Sequence, residues 1–301
     1  MRQWEPGESV VPPGSRFVQL ARGRTRYQVA GPESGPQVLL VHGLSYPMEV
    51  WSPLVDQLAA QGFRVCRYDL PGRGLSGYDF SPLTPAALCE HLLETLNAVG
   101  FQGPTTLVSL SNSDVLLAEV ADVAPERVRA LLWLAPSGLD PRTMNFTARA
   151  LGRAPWLSAI FSGPLRRRMA RRMEGHRQHL PDDSPDPVRN VYDFAIRSVT
   201  ESPVFARAVL SQISNAWSAE VLTEKLARLG RKQVPVSLAR FRGERDATEA
   251  GVRLLLENVP QCRTWELDGT HMGLLEDPPR VNACVFEALT SLASPGSRCS
   301  D

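Results

Sequence analysis

Four short stretches hold the side chains able to do chemistry: His42-Gly43-Leu44-Ser45, Ser109-Leu110-Ser111-Asn112-Ser113-Asp114, Gly243-Glu244-Arg245-Asp246 and Asp268-Gly269-Thr270-His271. Each follows an apolar run of strand length. The second is the most informative. A mostly β-branched run, Thr105 to Val108, enters it, and a helix-like stretch with Val115, Leu116, Leu117 and Val120 leaves it. A serine at a strand-to-helix turn is lifted above the sheet edge with helix N–H groups beneath it, which suits a nucleophile. A histidine able to serve as general base and a carboxylate able to orient it, such as His271 and Asp246, stand at other strand ends, and these are the residue types that nucleophilic chemistry needs. Glu244 competes with Asp246 for the acid's place. A tight turn of this kind usually has glycine two residues before and two after the serine. Here Ser109 and Ser113 stand there, and a serine forced to positive φ costs on the order of 1–3 kcal/mol.

The elements that must position these loops alternate in type. Phe17–Leu20 and Thr25–Val29 alternate as strands around the Arg22-Gly23 turn signal. Val38-Leu39-Leu40-Val41 is a continuous apolar run, as in a strand covered on both faces. The reading continues as a helix over 50–60, a strand over 63–68, a helix opened by Thr84-Pro85 and closed by Gly100, the strand and helix around Ser111, and a strand over 128–134. Strands return at 234–241 and 264–267, with helices over 250–258 and 279–292, and the tail 293–301 reads as frayed. Strands alternating with helices predict an α/β chain with a mostly parallel, doubly wound sheet. Between Pro136 and about Lys225 the alternation stops in favour of helical character broken by Pro155, Pro164, Pro181, Pro185 and Pro187. The predicted organisation is therefore a core of residues 1–136 and 226–301 with a helical cap at 137–225.

Composition narrows the function. Thirty-three basic against 32 acidic residues leave a net charge of +1, unlike the strongly basic balance of a nucleic-acid binder. No apolar run reaches the ~18–20 residues of a membrane span, and the first 16 residues lack the apolar core of a signal peptide. The five cysteines are scattered without metal or redox spacing, as in a reducing cytoplasm. No metal site is expected: His176 and His179 lie three apart with no third ligand near in sequence. Residues 137–200 hold 11 arginines against 6 acids, concentrated in Arg166-Arg167-Arg168-Met169-Ala170-Arg171-Arg172 after the apolar Trp156–Phe161. The ordinary reading is a solvated basic face; the sharper one is a weak contact of the cap with an anionic membrane or acidic ligands.

Together these motifs resemble the α/β-hydrolase superfamily from about Phe17 to Ala293. The resemblance rests on His42-Gly43, the run Arg67–Ser76 containing Asp69-Leu70-Pro71-Gly72-Arg73-Gly74, the serine turn, Asp246, and His271 followed by Glu276-Asp277-Pro278. The order Ser, Asp, His is that family's triad order. The stretch Val41–Ser45 through Trp51 is most similar to the esterase and lipase-like branch. The resemblance implies a cofactor-free serine esterase acting on a small or medium hydrophobic ester through a catalytic triad of Ser111, Asp246 and His271. Backbone N–H groups of Leu44 and Asn112 would form the oxyanion hole, and His42, Gly43 and Ser45 would support the pocket loop. Thioester, lactone and carbon–carbon cleavage share this machinery. An elbow serine disfavours epoxide hydrolysis and dehalogenation. A hydrolase-like protein that binds a ligand without turnover is the reading from another class, motivated by Ser109 and Ser113. Asp114 has two readings: turned away from the pocket it caps the helix, and turned inward it opposes an oxyanion.

Overall fold

A computed structural model describes residues 11–139, 155–182, 184–244, 246 and 248–293. The first ten residues, most of the tail with Cys299, residues 140–154 of the cap and Arg245 lie outside the described residues, as do the side chains of the apolar run 156–161.

The strands are β1 (Arg16–Leu20), β2 (Gly23–Ala30), β3 (Gln37–Val41), β4 (Arg64–Tyr68), β5 (Thr105–Leu110), β6 (Val128–Leu134), β7 (Val236–Phe241) and β8 (Arg263–Leu267). They form one eight-stranded sheet in the order β1-β2-β4-β3-β5-β6-β7-β8. The β1/β2 and β2/β4 pairs are antiparallel, and every pair from β4 to β8 is parallel. The helices are α1 (Ser52–Ala60), α2 (Pro85–Ala98), α3 (Asp114–Val123), α4 (Pro155–Gln178), α5 (Asp186–Glu201), α6 (Phe205–Ser214), α7 (Ala219–Arg231), α8 (Glu249–Asn258), α9 (Gly273–Glu276) and α10 (Pro278–Ala293).

The continuous apolar run of β3 follows from burial on both faces. Val38 and Leu40 point into one apolar layer with α1 and α10, while Leu39 and Val41 point into the other with α2, α3, α7 and α8. Strand residues alternate in facing, so a strand covered on both sides has no polar position to spare. Each fully buried leucine here contributes roughly 1.5–3 kcal/mol relative to exposure. Local signals end the helices where expected: Thr84 Oγ1 accepts the Ala87 N–H at 3.1 Å at the start of α2, and Gly100 takes φ 75° just past its end.

After β6 the alternation is interrupted by α4, α5 and α6, which pack on one another as an inserted helical cap. Two details differ from expectation. Pro164 does not break the cap but lies inside the long helix α4, on its exposed side. A proline forfeits a single backbone bond there, which helix packing can offset. The boundary expected at residue 225 falls within α7, whose Leu222, Leu226 and Leu229 share the apolar layer of α3 and α8. No helix among the described residues is long and apolar enough to cross a membrane. The four described cysteines, Cys66, Cys89, Cys262 and Cys284, are free thiols.

Candidate active site

The parallel order places the loops after β3, β5, β6, β7 and β8 at one sheet edge, where doubly wound sheets bind ligands. A cavity of about 320 Å³ opens there under α4 and α6, lined by Leu44, Ser111, Asn112, Ser137, Asp246 and His271 among others.

Ser111 follows β5 at the start of a single 3₁₀ turn that leads into α3. Its φ of 59° is left-handed, an uncommon backbone state for a residue other than glycine and one that gathers at functional sites. The strain therefore falls on Ser111 and not on the flanking serines. Ser113 has ordinary helical backbone, φ −80° and ψ −1°, and Ser109 is an extended residue of β5. Ser113 Oγ donates to the His42 carbonyl at 2.5 Å, while Ser109 is fully buried between β3 and β6 with its hydroxyl unpartnered among the described residues. The glycine that the turn does need is Gly43. A Cβ there would stand 2.9 Å from Ser111 Cβ.

Ser111 Oγ lies 2.9 Å from His271 Nε2 and also 2.9 Å from Ser137 Oγ. His271 Nδ1 donates to Glu244 Oε2 at 2.6 Å, which puts the ring proton on Nδ1 and leaves Nε2 free to accept from the serine. Asp246, the carboxylate expected in that place, is displaced from it: its Oδ2 is 3.9 Å from Nδ1 and is paired with Arg172 of α4. The loop after β7 starts tied to the loop after β8. Gly243 N–H donates to the Gly269 carbonyl at 2.9 Å, and a Cβ on Gly243 would meet that carbonyl at 2.7 Å. Asp246 N–H donates back to Glu244 Oε1 at 2.6 Å. The Glu244 side chain is only 5% exposed, against 34% for Asp246. The His271 loop is pinned in turn by Glu276, whose carboxylate accepts from Thr270 N–H at 2.8 Å and from the Thr270 hydroxyl. Glu244, Asp246 and His271 are close enough to hold a cation together, but both imidazole nitrogens already have protein partners.

The loop after β3 is held from below by His42. Its Nε2 accepts the Leu70 N–H at 2.9 Å, so its proton sits on Nδ1, which donates to the Gly43 carbonyl at 2.7 Å. Burial lowers the His42 pKa to about 3, and the ring is neutral at physiological pH. The peptide it polarises is the one whose N–H belongs to Leu44. Asp69 organises the adjoining loop, accepting from Met48 N–H at 2.8 Å, Leu75 N–H at 3.0 Å and Arg26 at 3.3 Å.

Beneath the cavity lies Arg73, fully buried and without a carboxylate partner among the described residues. Its guanidinium donates to the Leu44 carbonyl at 3.3 Å, to the Pro71 carbonyl at 2.6 Å and to Gln212 Oε1 of α6. Gln212 Nε2 donates onward to Asn112 Oδ1 at 3.0 Å. Burial lowers the Arg73 pKa to about 10, which leaves it charged at neutral pH. Leu44 and Asn112 are thus linked through Arg73 and the cap. No sequence signal marks Gln212 or Ser137; both reach the site from distant segments.

Asp114 is turned away from the cavity. It is fully buried, and its oxygens accept the Val115 N–H at 2.7 Å and the Gly138 N–H at 2.9 Å. Burial raises its pKa to about 7. Of the cap histidines, His176 lines the cavity and its Nδ1 bonds Tyr46 Oη at 2.9 Å, while His179 Nδ1 faces the Gly175 carbonyl at 2.6 Å. The two do not converge on a common point. Ser45 Oγ touches Met169 Sδ at 3.6 Å across the cavity.

Similarity to known proteins agrees with this architecture. An uncharacterized protein of Mycobacterium tuberculosis is 28% identical over 138 residues, which are 46% of this chain and 39% of that protein. A pimeloyl-[acyl-carrier protein] methyl ester esterase of Edwardsiella ictaluri is 36% identical over 102 residues, 33% of this chain and 36% of that protein. The matches thus span less than two fifths of these relatives' own length. A putative epoxide hydrolase from Pseudomonas aeruginosa superposes with a TM-score of 0.74 at 21% identity, covering 93% of this chain and 97% of that one, a likeness of fold. Residues 38–283, which carry all of the loops described above, match the profile of the alpha/beta hydrolase family, and the chain belongs to that family.

Proposed function

We propose that this protein is a serine hydrolase that cleaves a small, largely hydrophobic ester-type bond through an acyl-enzyme. The observation that carries the reading is the hydrogen-bonded line Ser111–His271–Glu244 opening into the cavity, with Ser111 held at φ 59°. In this mechanism Ser111 Oγ attacks the carbonyl carbon while its proton passes to His271 Nε2. The imidazolium formed is stabilised by Glu244, which also fixes the reactive tautomer; Asp246 serves the ion pair with Arg172. The carbonyl oxygen becomes an oxyanion held by the N–H groups of Leu44 and Asn112, each donor worth about 3–4 kcal/mol of barrier. His271 then returns the proton to the leaving group. Water, deprotonated by the same ring, releases the acyl group.

The reading of a ligand-binding protein without turnover rested on a distorted elbow. Ordinary backbone at Ser109 and Ser113 weighs against such a distortion, and the labelling and turnover test below decides between the two readings. Thioesters and lactones use the same geometry and fall within the proposal. The test is labelling by a fluorophosphonate and turnover of short and medium p-nitrophenyl esters, beside Ser111→Ala and His271→Ala. Absence of both labelling and turnover in the wild type would overturn it, and labelling that persists in Ser111→Ala would move the nucleophile elsewhere.

A further inference from the structure

The cavity wall contributed by α4 is not uniformly apolar. Leu165, Arg168, Met169, Arg172, Met173 and His176 face it, at the spacing of one helix face. Reading from the triad outward, His176 is held by Tyr46 and Arg172 is neutralised by Asp246. Arg168 stands one turn further, about 6 Å along the axis from Arg172. It has no acidic partner and no hydrogen bond among the described residues, although Arg166 on the same helix donates to the carbonyls of Thr200 and Ser202. The apolar part of the cavity lining includes Leu44, Met169, Leu210 and Ile213, and Arg168 itself is exposed to solvent.

Resting on the serine hydrolase reading, we propose that Arg168 forms an anion subsite at the outer end of the Ser111 cavity. The substrate class is then an ester carrying a carboxylate separated from the scissile carbonyl by a medium apolar chain. A guanidinium offers a carboxylate two parallel N–H donors, a geometry that discriminates charge and position together. The apolar walls take the methylene chain. The Arg172–Asp246 pair cancels the charge nearer the triad, so an anion is drawn to the outer end and kept off the reacting carbonyl.

The experiment compares mono-p-nitrophenyl adipate with p-nitrophenyl hexanoate, chains of equal length with and without the distal charge. The ionic strength is on the order of 10 mM, where screening reaches only over about 30 Å. Wild type is expected to prefer the adipate about tenfold in kcat/KM. Arg168→Gln should bring that ratio near one, while Arg167→Gln, exposed on α4 and outside the cavity, should leave it as in wild type. An acetate ester of 6-hydroxyhexanoate, with the carboxylate on the alcohol side, tells which half of the substrate carries the charge. Equal losses in the two arginine variants would assign the charge to the basic surface as a whole and overturn the subsite, as would a wild-type preference for the hexanoate. Binding separates this proposal from the activity it rests on. Calorimetric titration of Ser111→Ala with monomethyl adipate against methyl hexanoate should show the same preference, lost when Arg168→Gln is added. Equal affinity for the two ligands overturns the subsite even where wild type turns over both esters.

Discussion

Glu244 Oε2 lies 2.6 Å from His271 Nδ1, the shortest contact this ring makes and the one that fixes its tautomer. Two carboxylates compete for that position, and burial separates them. Glu244 is enclosed and receives the Asp246 N–H, whereas Asp246 is a third exposed and turned to Arg172. Glu244→Gln is therefore expected to lower kcat/KM for a p-nitrophenyl ester by about 10³–10⁴-fold, the loss typical of a triad whose imidazole is held in the wrong tautomer. Asp246→Asn should cost less than about tenfold. The reverse ranking in steady-state kinetics would return the acid's role to Asp246.

The Arg172–Asp246 ion pair ties the cap to the loop after β7, with side chains 50% and 34% exposed. Pairs this exposed contribute about 0–1 kcal/mol. A double-mutant cycle of Arg172→Gln and Asp246→Asn, followed by urea unfolding, should give a coupling below about 1 kcal/mol that shrinks in 1 M salt. A coupling of several kcal/mol would mean that this pair is shielded from solvent in a way the side-chain exposures contradict.

How far the sequence disclosed all this depended on range. The β3 run Val38–Val41 was legible because burial on both faces leaves only apolar residues. That Ser111 and His271 meet, at 2.9 Å, could be expected from the sequence because each follows a strand of one parallel sheet. The choice between Glu244 and Asp246 was not: two acids two residues apart are equivalent in sequence, and only their burial and partners in the fold tell them apart. Pro164 misled because a proline reads as a break, whereas α4 continues through it. The Arg73–Gln212–Asn112 link was invisible, since its partners are 139 and 100 residues apart in the chain.

That link predicts a separable effect on turnover. Gln212→Ala leaves a buried Arg73 N–H without its acceptor, at a cost of about 1–3 kcal/mol in stability, and frees the Asn112 side chain. On the proposed role of Leu44 and Asn112 as oxyanion donors, kcat should fall about tenfold with KM within about twofold, since the loss is felt only as charge develops. Gln212→Glu distinguishes bracing from mere folding. It gives Arg73 a counterion and should restore stability. It cannot donate to Asn112 and adds a negative charge near the oxyanion, so kcat should stay low. Recovery of kcat together with stability would reduce Gln212 to a folding role.

Asp114 supplies a prediction in pH. Burial raises its folded pKa to about 7, while the unfolded chain keeps the ordinary value near 3.8. Between those two values the folded state holds a proton that the unfolded state has released. The stability contributed by protonated Asp114 is therefore complete below about pH 4 and is lost as pH rises through about 7, a change on the order of a few kcal/mol. Buried His42, with its pKa lowered to about 3, acts in the opposite sense: its contribution is complete above about pH 6.5 and is lost toward pH 3. A single melting curve mixes the two, but the difference between wild type and Asp114→Asn cancels every group except Asp114. Asparagine keeps one acceptor for the Val115 or Gly138 N–H and turns a donor toward the other, so at pH 5 the variant should be less stable by about 1–3 kcal/mol. At pH 8 wild type must hold an unpaired buried carboxylate, and the gap should close or reverse. Urea unfolding of both proteins at pH 5, 6.5 and 8 measures this, and a gap that stays constant across the series would show that Asp114 does not titrate in this range.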